Sequence, residues 1–198
     1  RAVLRLRPCC SGARGTKRCS VTSPRGLLVR LAGALNASGM PWMITGSTAS
    51  ALYGEPRATQ DIDIVIDPQP DQLSALLDAL KDGFYVSAEE ASEALRLRGM
   101  FNAIDLESGW KADIIVCPDR DFERNEIARR RPVRLFDVDV FVISPEGSVV
   151  SKLRWAATSG SERQLRDAAS VLVGCAGELD MDYIRREAES AGVTDLLA

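Results

Sequence analysis

The fold is decided by residues 43–66, which read MITGSTASALYGEPRATQDIDIVI. The pattern predicts a strand over Trp42–Thr45, a turn at Gly46-Ser47, a helix over Thr48–Gly54, a loop, and a strand over Asp61–Ile66. Side chains alternate between the two faces of a strand, so Asp61 and Asp63 point one way and the neighbouring isoleucines point the other way. Two carboxylates are therefore directed at one place.

This pair of acids, together with the turn before it, favours a site for a metal-bound triphosphate. Adjacent carboxylates repel each other unless a cation lies between them, and Mg²⁺ prefers carboxylate oxygens, water and substrate phosphates. Gly46 lets the backbone approach a ligand closely, and Ser47 offers a hydroxyl and free N–H groups where the helix begins. Gly-Ser turns and Asp-x-Asp strands are each common in ordinary domains, so the prediction rests on their combination.

The combination resembles the nucleotidyltransferase superfamily with the polymerase-beta-like fold, whose pattern is Gly-Ser, a helix, and Asp-x-Asp on the next strand. The closer likeness is to small bacterial members, including the AbiEii/MenT-type toxin nucleotidyltransferases. It covers Leu27–Ala198 and is sharpest over Thr45–Asp67 and Ser144–Leu172. The resemblance implies an α/β (α+β) fold, in which helices flank a mixed β-sheet and a helical region follows at the C-terminus.

A third carboxylate is expected from a β-hairpin within Met100–Val116, with its turn at Ser108-Gly109. Asp113 lies in the slot where the family places its last metal ligand, and three acids could hold two metals. We also assign to Asp113 the role of general base. Asp105, on the other arm of the hairpin, is the rival for the third ligand. In the alternative interpretation Asp113 is an ordinary solvated strand residue.

A helical half begins at Ile143-Ser-Pro-Glu146, where Ser144 is a suitable N-cap and Pro145 suits the first helical position. The toxin-like members carry a lysine on a helix after the sheet and a basic-Asp pair on the next helix. Lys152 and Asp167 match these positions, which implies that Lys152 neutralises triphosphate charge and that Asp167 orients it or the acceptor. Arg57 precedes Asp61 in the loop and could reach a phosphate. The alternative for all three is a solvated surface with charge pairs.

Composition restricts the chemistry. The chain has 198 residues, 45% of them hydrophobic, and no histidine, which excludes Ser-His-Asp hydrolases and His-ligated zinc sites. Its five cysteines suggest neither a disulfide framework nor a zinc site, so a reducing cytoplasm is expected. No apolar run is long enough to cross a bilayer. We predict a disordered extension over residues 1–24, a catalytic core over 25–143 and a helical region over 144–198.

Positive charge is concentrated in two places. The first acidic residue is Glu55, so the first 54 residues carry only basic charges. A second cluster, predicted on or near a helix over Asp121–Arg131 and the strand after it, comprises Arg120, Arg124, Arg129, Arg130, Arg131 and Arg134. These arginines would grip an RNA backbone if they faced the site, and would mean little if they lay on a solvated helix.

The remaining elements complete the predicted architecture. Helices are expected over Gly26–Ser38, Asp71–Lys81, Glu89–Arg98, Pro145–Thr158, Ser161–Gly174 and Asp180–Ala191, and further strands over Phe101–Leu106, Trp110–Val116, Val133–Phe136 and Val140–Ile143.

The function implied by the resemblance is transfer of a nucleoside monophosphate from an NTP, with Mg²⁺ or Mn²⁺ as cofactor. The acceptor in the toxin-like group is commonly a tRNA 3′ end, and a cognate antitoxin is then the expected partner. This chain reads Gly-Ser-Thr where many AbiEii proteins read Gly-Gly-Thr-Ser. Two alternatives stay open: the same chemistry on a protein or a small molecule, and a module that binds nucleotide or a partner without turnover.

Overall fold

The computed structural model describes residues 24–59, 61–135 and 137–197, so the predicted extension lies almost wholly outside the described residues. Strands run over β1 Trp42–Ile44, β2 Asp61–Ile66, β3 Phe84–Val86, β4 Met100–Asp105, β5 Lys111–Val116, β6 Arg131–Leu135 and β7 Val138–Val142. They form one mixed sheet in the order β3-β4-β5-β2-β1-β7-β6. The predicted mixed α/β fold is confirmed.

Eight α-helices surround this sheet in the described part of the chain: α1 Pro24–Ser38, α2 Gly46–Tyr53, α3 Pro70–Leu80, α4 Ala88–Leu97, α5 Asp121–Arg129, α6 Pro145–Ser159, α7 Glu162–Gly174 and α8 Met181–Ser190. Ser144 caps α6 as expected, because its hydroxyl accepts a hydrogen bond from the Gly147 N–H. A short 3₁₀ helix over Thr194–Leu197 ends the described chain. No helix among the described residues is long and apolar enough to cross a bilayer.

Three local predictions were wrong. The helix predicted to run to Arg131 ends at Arg129, and Arg131 begins β6, because Pro132 disfavours a helical residue before it. Pro132 has no N–H to donate, and it lies on an edge strand as this restriction demands. Strand β3 was missed, since three residues are too few for a period-two pattern. Helix α2 begins at Gly46, two residues before the predicted start.

Strands β4 and β5 pack against the hydrophobic core on one face and are open on the other face. Phe101, Ala103, Ala112 and Ile114 are buried in the main hydrophobic core, which also contains the apolar residues of α1, α3 and α4. The side chains that alternate with them along β4 and β5 are half-buried or exposed. We call this second surface, which carries Asp61, Asp63, Asn102, Lys111 and Asp113, the open face.

The buried apolar side chains form two clusters. The main core extends from Leu27 to Ile143, and a second cluster of the C-terminal helices extends from Val149 to Val193. Glu126 connects the two parts: its buried carboxylate accepts hydrogen bonds from the Ser144 hydroxyl at 2.7 Å and the Tyr183 hydroxyl at 2.6 Å. Helix α5 is thereby tied to the start of α6 and to α8. The division of the chain into two domains stays a prediction.

Candidate active site

The sheet register brings the predicted carboxylates together on the open face. Strands β2 and β5 are parallel neighbours, and Asp63 lies opposite Asp113 while Asp61 lies opposite Lys111. Strand β4 continues the row, because Asn102 lies opposite Asp113 on the antiparallel side. Residues paired across adjacent strands project from the same face. Asp61, Asp63 and Asp113 therefore share one surface, as the alternation in the sequence predicts for the first two.

The backbone of Gly46 lies directly against the side chain of Asp63. Its φ of +62° lies in the left-handed region, and a β-carbon added there would lie 1.8 Å from Asp63 Oδ2 and 2.5 Å from Asp63 Cγ. The Ser47 N–H lowers the pKa of the same carboxyl, and the Thr45 N–H donates to the Asp63 carbonyl at 2.9 Å. The start of α2 is thus packed directly on an acid of the open face, which only glycine permits.

The environment of Asp63 disfavours its ionised form. Burial raises the pKa of the Asp63 carboxyl, the negative charges of Asp61 and Asp113 raise it further, and Lys152 and the Ser47 N–H oppose the rise only in part. A carboxylate in this position gains from an added cation, because the cation offsets both the lost hydration and the repulsion.

The donor set fits a hard divalent cation. Carboxylate oxygens are the ligands that Mg²⁺ prefers, and Asn102 Oδ1 beside Asp113 is buried without a hydrogen-bond partner among the described residues. Within residues 24–59, 61–135 and 137–197, no three acidic or thiol side chains are gathered as a ready metal site. Asp61 bonds instead to the Thr59 hydroxyl at 2.8 Å, and Lys111 Nζ lies 2.8 Å from Asp113 Oδ1. The hydrogen bond with Asp113 raises the pKa of Lys111, so the Lys111 ammonium already neutralises part of the charge of Asp113.

Lys152 reaches the site from α6 and is buried. Its Nζ donates to Asp167 Oδ2 on α7 at 2.8 Å, and Arg57 approaches Asp167 Oδ1 at 3.4 Å. Lys152 and Arg57, two residues that the sequence singled out, therefore both contact the carboxylate of the third, Asp167. The Lys152 charge offsets part of the rise in the pKa of Asp63, and two cations on one carboxylate leave positive charge suited to a polyanion.

Asp105, the rival third acid, lies on the covered face and does not join the other acids. It is fully buried, and Arg30 of α1 donates to its carboxylate at 2.5 Å. Burial raises the pKa of Asp105, but hydrogen bonds from Ser108, the Glu107 N–H and Arg30 outweigh this and lower it. Asp105 is three residues from Asn102 along β4, and this odd step places it on the opposite face from Asn102.

The arginine cluster is largely neutralised by acids of its own neighbourhood. Arg124 contacts Asp119 and Asp121, and the other ion pairs are Arg120–Glu123, Arg129–Glu126, Arg131–Glu146 and Arg134–Asp139. Arg130 lies over the Phe141 ring. This cluster belongs to α5 and β6, and β6 is the edge of the sheet remote from β4 and β5. Of the two interpretations of this cluster, these ion pairs and this position favour the solvated helix over an RNA grip at the site.

An open cleft of about 540 Å³ adjoins Asp61 and is lined by Ser108, Gly109, Trp110 and Lys111 of the hairpin. Thr59, Asn102 and Lys111 were not assigned roles from the sequence. Lys111 could have been found by its spacing, since it precedes Asp113 by two residues and shares its face. Asn102 could not, because its place beside Asp113 depends on the hairpin register.

Comparisons with known proteins show the fold. The sequence matches no protein-family model and no curated protein. Among solved structures, the antibiotic-resistance factor ANT(2'')-Ia is similar with a TM-score of 0.55 at 14% identity, covering 84% of this chain and 89% of that chain. An antigenic nucleotidyltransferase-like protein from Paracoccidioides brasiliensis is similar with a TM-score of 0.56 at 16% identity, over 84% and 90%. The lincosamide antibiotic adenylyltransferase LnuA, lincomycin-bound, gives 0.50 at 16% identity, over 76% and 96%.

The chain therefore has a fold that nucleotidyltransferases share. The closer likeness to AbiEii/MenT-type toxins stays a prediction.

Proposed function

We propose that this chain is a metal-dependent nucleotidyltransferase, which transfers a nucleoside monophosphate from an NTP to an acceptor hydroxyl. The observation that carries the proposal is the register of β2 and β5, which places Asp63 beside Asp113 against the Gly46 turn. In this proposal Asp61, Asp63 and Asp113 hold Mg²⁺ or Mn²⁺, and Gly46 and Ser47 cradle the triphosphate. The bound metal supplies charge neutralisation at the reacting phosphorus.

The chain's own residues account for binding and proton movement. Lys152 and Arg57 share one carboxylate, so they retain positive charge for the β- and γ-phosphates. The acceptor oxygen attacks the α-phosphorus, and the bond from that phosphorus to pyrophosphate breaks. The hydroxyl proton passes to a carboxylate, and we assign this general-base role to Asp113. Asp167 holds the Lys152 ammonium at 2.8 Å and so orients it.

The acceptor we propose is a small molecule. The arginines that could have gripped RNA are paired with acids, and the cleft beside Asp61 carries one lysine that is itself paired with Asp113. A structure of ANT(2'')-Ia with adenylyl-2''-tobramycin, similar to this chain with a TM-score of 0.55, shows the same fold with an adenylylated small molecule. The proposed location is the cytoplasm.

A tRNA 3′ end is the second acceptor candidate, together with a toxin role and an antitoxin partner. It draws support from the contact between Lys152 and Asp167, the two positions that the toxin-like resemblance singles out. A tRNA acceptor predicts binding that weakens steeply with salt, whereas a small acceptor does not.

The test incubates purified protein with Mg²⁺, each α-labelled NTP in turn, and one of three acceptor pools: a deproteinised small-molecule extract, total tRNA, or whole-cell protein. An Asp61→Asn/Asp63→Asn variant serves as the control. Label on a small molecule that the variant does not produce would support the main proposal. Label on tRNA or on a protein would show that the acceptor is not a small molecule. Nucleotide binding without transfer to any pool would indicate a binding module and overturn the proposed activity.

A further inference from the structure

Thr59 is a polar residue at the site that neither the sequence nor the proposed mechanism uses. It lies in the loop between α2 and β2, two residues before Asp61, and is half-buried. Its hydroxyl oxygen is 2.8 Å from Asp61 Oδ1 and 3.0 Å from the Ser47 hydroxyl. One side chain therefore contacts both a proposed metal ligand and the proposed triphosphate residue.

The direction of these hydrogen bonds follows from the groups present. A threonine hydroxyl has one proton, and an ionised carboxylate can only accept. Thr59 therefore donates its one proton to Asp61, whose carboxylate Oδ1 lies at 2.8 Å and whose backbone carbonyl lies at 3.0 Å, and Ser47 donates to Thr59. The chain of bonds runs from Ser47 through Thr59 to Asp61, so the hydroxyl of the α2 turn is coupled to the first acid of β2.

This bond fixes Asp61 where electrostatics would displace it. Asp63 lies two residues away on the same face, and its carboxyl already feels the charge of Asp61. Without a restraint, repulsion would favour conformers of Asp61 that turn away from Asp63. Thr59 is β-branched and has a restricted χ1, which makes it a stiff donor. The hydrogen bond from Thr59 to Asp61 Oδ1 fixes the rotamer of the Asp61 side chain. The other carboxylate oxygen, Oδ2, then keeps one direction.

We infer that Thr59 is a positioning residue, which holds Asp61 in the orientation that binds the metal and keeps the Ser47 hydroxyl oriented at the start of α2. The inference rests on the proposed function. Hydrogen-bond partners of metal ligands typically contribute about 10- to 100-fold to metal affinity or activity. Thr59 acts only through Asp61 and Ser47, so its removal should weaken metal binding without preventing it.

The experiment compares Thr59→Val, which keeps the shape and loses the hydroxyl, with Thr59→Ser, which keeps the hydroxyl. Mn²⁺ alone is titrated into each protein and free Mn²⁺ is followed by EPR. Thr59→Val should raise the Mn²⁺ dissociation constant at least tenfold, and Thr59→Ser should stay within about threefold of wild type. Thr158→Val is the control, because it removes a threonine hydroxyl that bonds to the Arg154 carbonyl on the exposed end of α6.

The outcomes separate the two levels of the argument. Equal Mn²⁺ affinity in wild type and Thr59→Val overturns the positioning role and leaves the proposed function intact. An affinity loss in Thr59→Val that Thr59→Ser fails to rescue also overturns it, because the hydroxyl is then not the cause. If wild-type protein binds no Mn²⁺, the proposed metal site is refuted. The proposed function then fails along with the inference.

Discussion

Substitution of Gly46 by alanine should separate catalysis from folding. The new β-carbon would lie 1.8 Å from Asp63 Oδ2, whereas ordinary contact begins at 3.4 Å, so the carboxylate must retreat by about 1.6 Å. A displacement of roughly 1 Å at a reacting centre costs about 100-fold in rate. We therefore expect Gly46→Ala to lower kcat/KM at least 100-fold, which corresponds to about 2.7 kcal/mol of transition-state stabilisation.

Backbone strain adds a second, separable cost. Gly46 has φ +62°, and a residue with a β-carbon in this region costs roughly 1–2 kcal/mol of stability. Gly39 provides the matched control, because its φ is +70° and the nearest atom to an added β-carbon is 4.0 Å away. Gly39→Ala should lose the same stability and keep its activity.

The assay measures transfer of α-labelled NMP at saturating and limiting NTP, together with urea unfolding of all three proteins. Wild-type activity within threefold in Gly46→Ala would refute the reasoning, since it would show that the Asp63 carboxylate is not needed where the structure places it. Equal activity losses in Gly46→Ala and Gly39→Ala would also refute it, because strain alone would then explain both.

Three further predictions concern the acids. Asp105→Asn should cost about 2 kcal/mol in urea unfolding and leave transfer unchanged, whereas Asp113→Asn should abolish transfer at little cost; the reverse pattern would exchange their roles. Asp63 has a raised pKa, so its contribution to stability is present below the unfolded pKa and is lost as pH rises through the folded pKa. Asp63→Asn should accordingly raise the metal-free Tm at neutral pH, with a gain that disappears toward about pH 4; parallel Tm profiles would contradict this. Asp167→Ala should lose roughly 3 kcal/mol by leaving the buried Lys152 ammonium without its partner, and Mg-ATP should restore part of that stability in a thermal-shift assay; a variant as stable as wild type would show that the pair is not needed.

The parts of the site that the sequence predicts are those governed by local rules. Strand alternation directs Asp61 and Asp63 to one face from residue spacing alone. The Ser144 cap is read in the same way, because a capping hydroxyl and its N–H partner are three residues apart. Each of these inferences needs only the next few residues of the chain.

The remaining features depend on residues that are distant in sequence. Arg57 and Asp167 are separated by 110 positions, so no pattern could show that they meet. The arginines of α5 and β6 form a basic cluster when read along the chain, but folding brings acids beside them, as with Arg131 and Glu146. The choice of Asp113 over Asp105 rests on the family resemblance, because residue spacing alone does not show which face of the hairpin α1 covers.

The site lies at the joint between the two hydrophobic clusters. The carboxylates belong to the sheet and its main core, whereas Lys152 belongs to α6 and Asp167 to α7, whose apolar side chains form the second cluster. Local unfolding of the C-terminal helices would therefore remove the lysine and leave the acids in place. If the proposed triphosphate site is correct, bound Mg-NTP would contact both clusters and link their opening into one cooperative event. Hydrogen exchange of the α6 and α7 amides should then slow when Mg-NTP is bound.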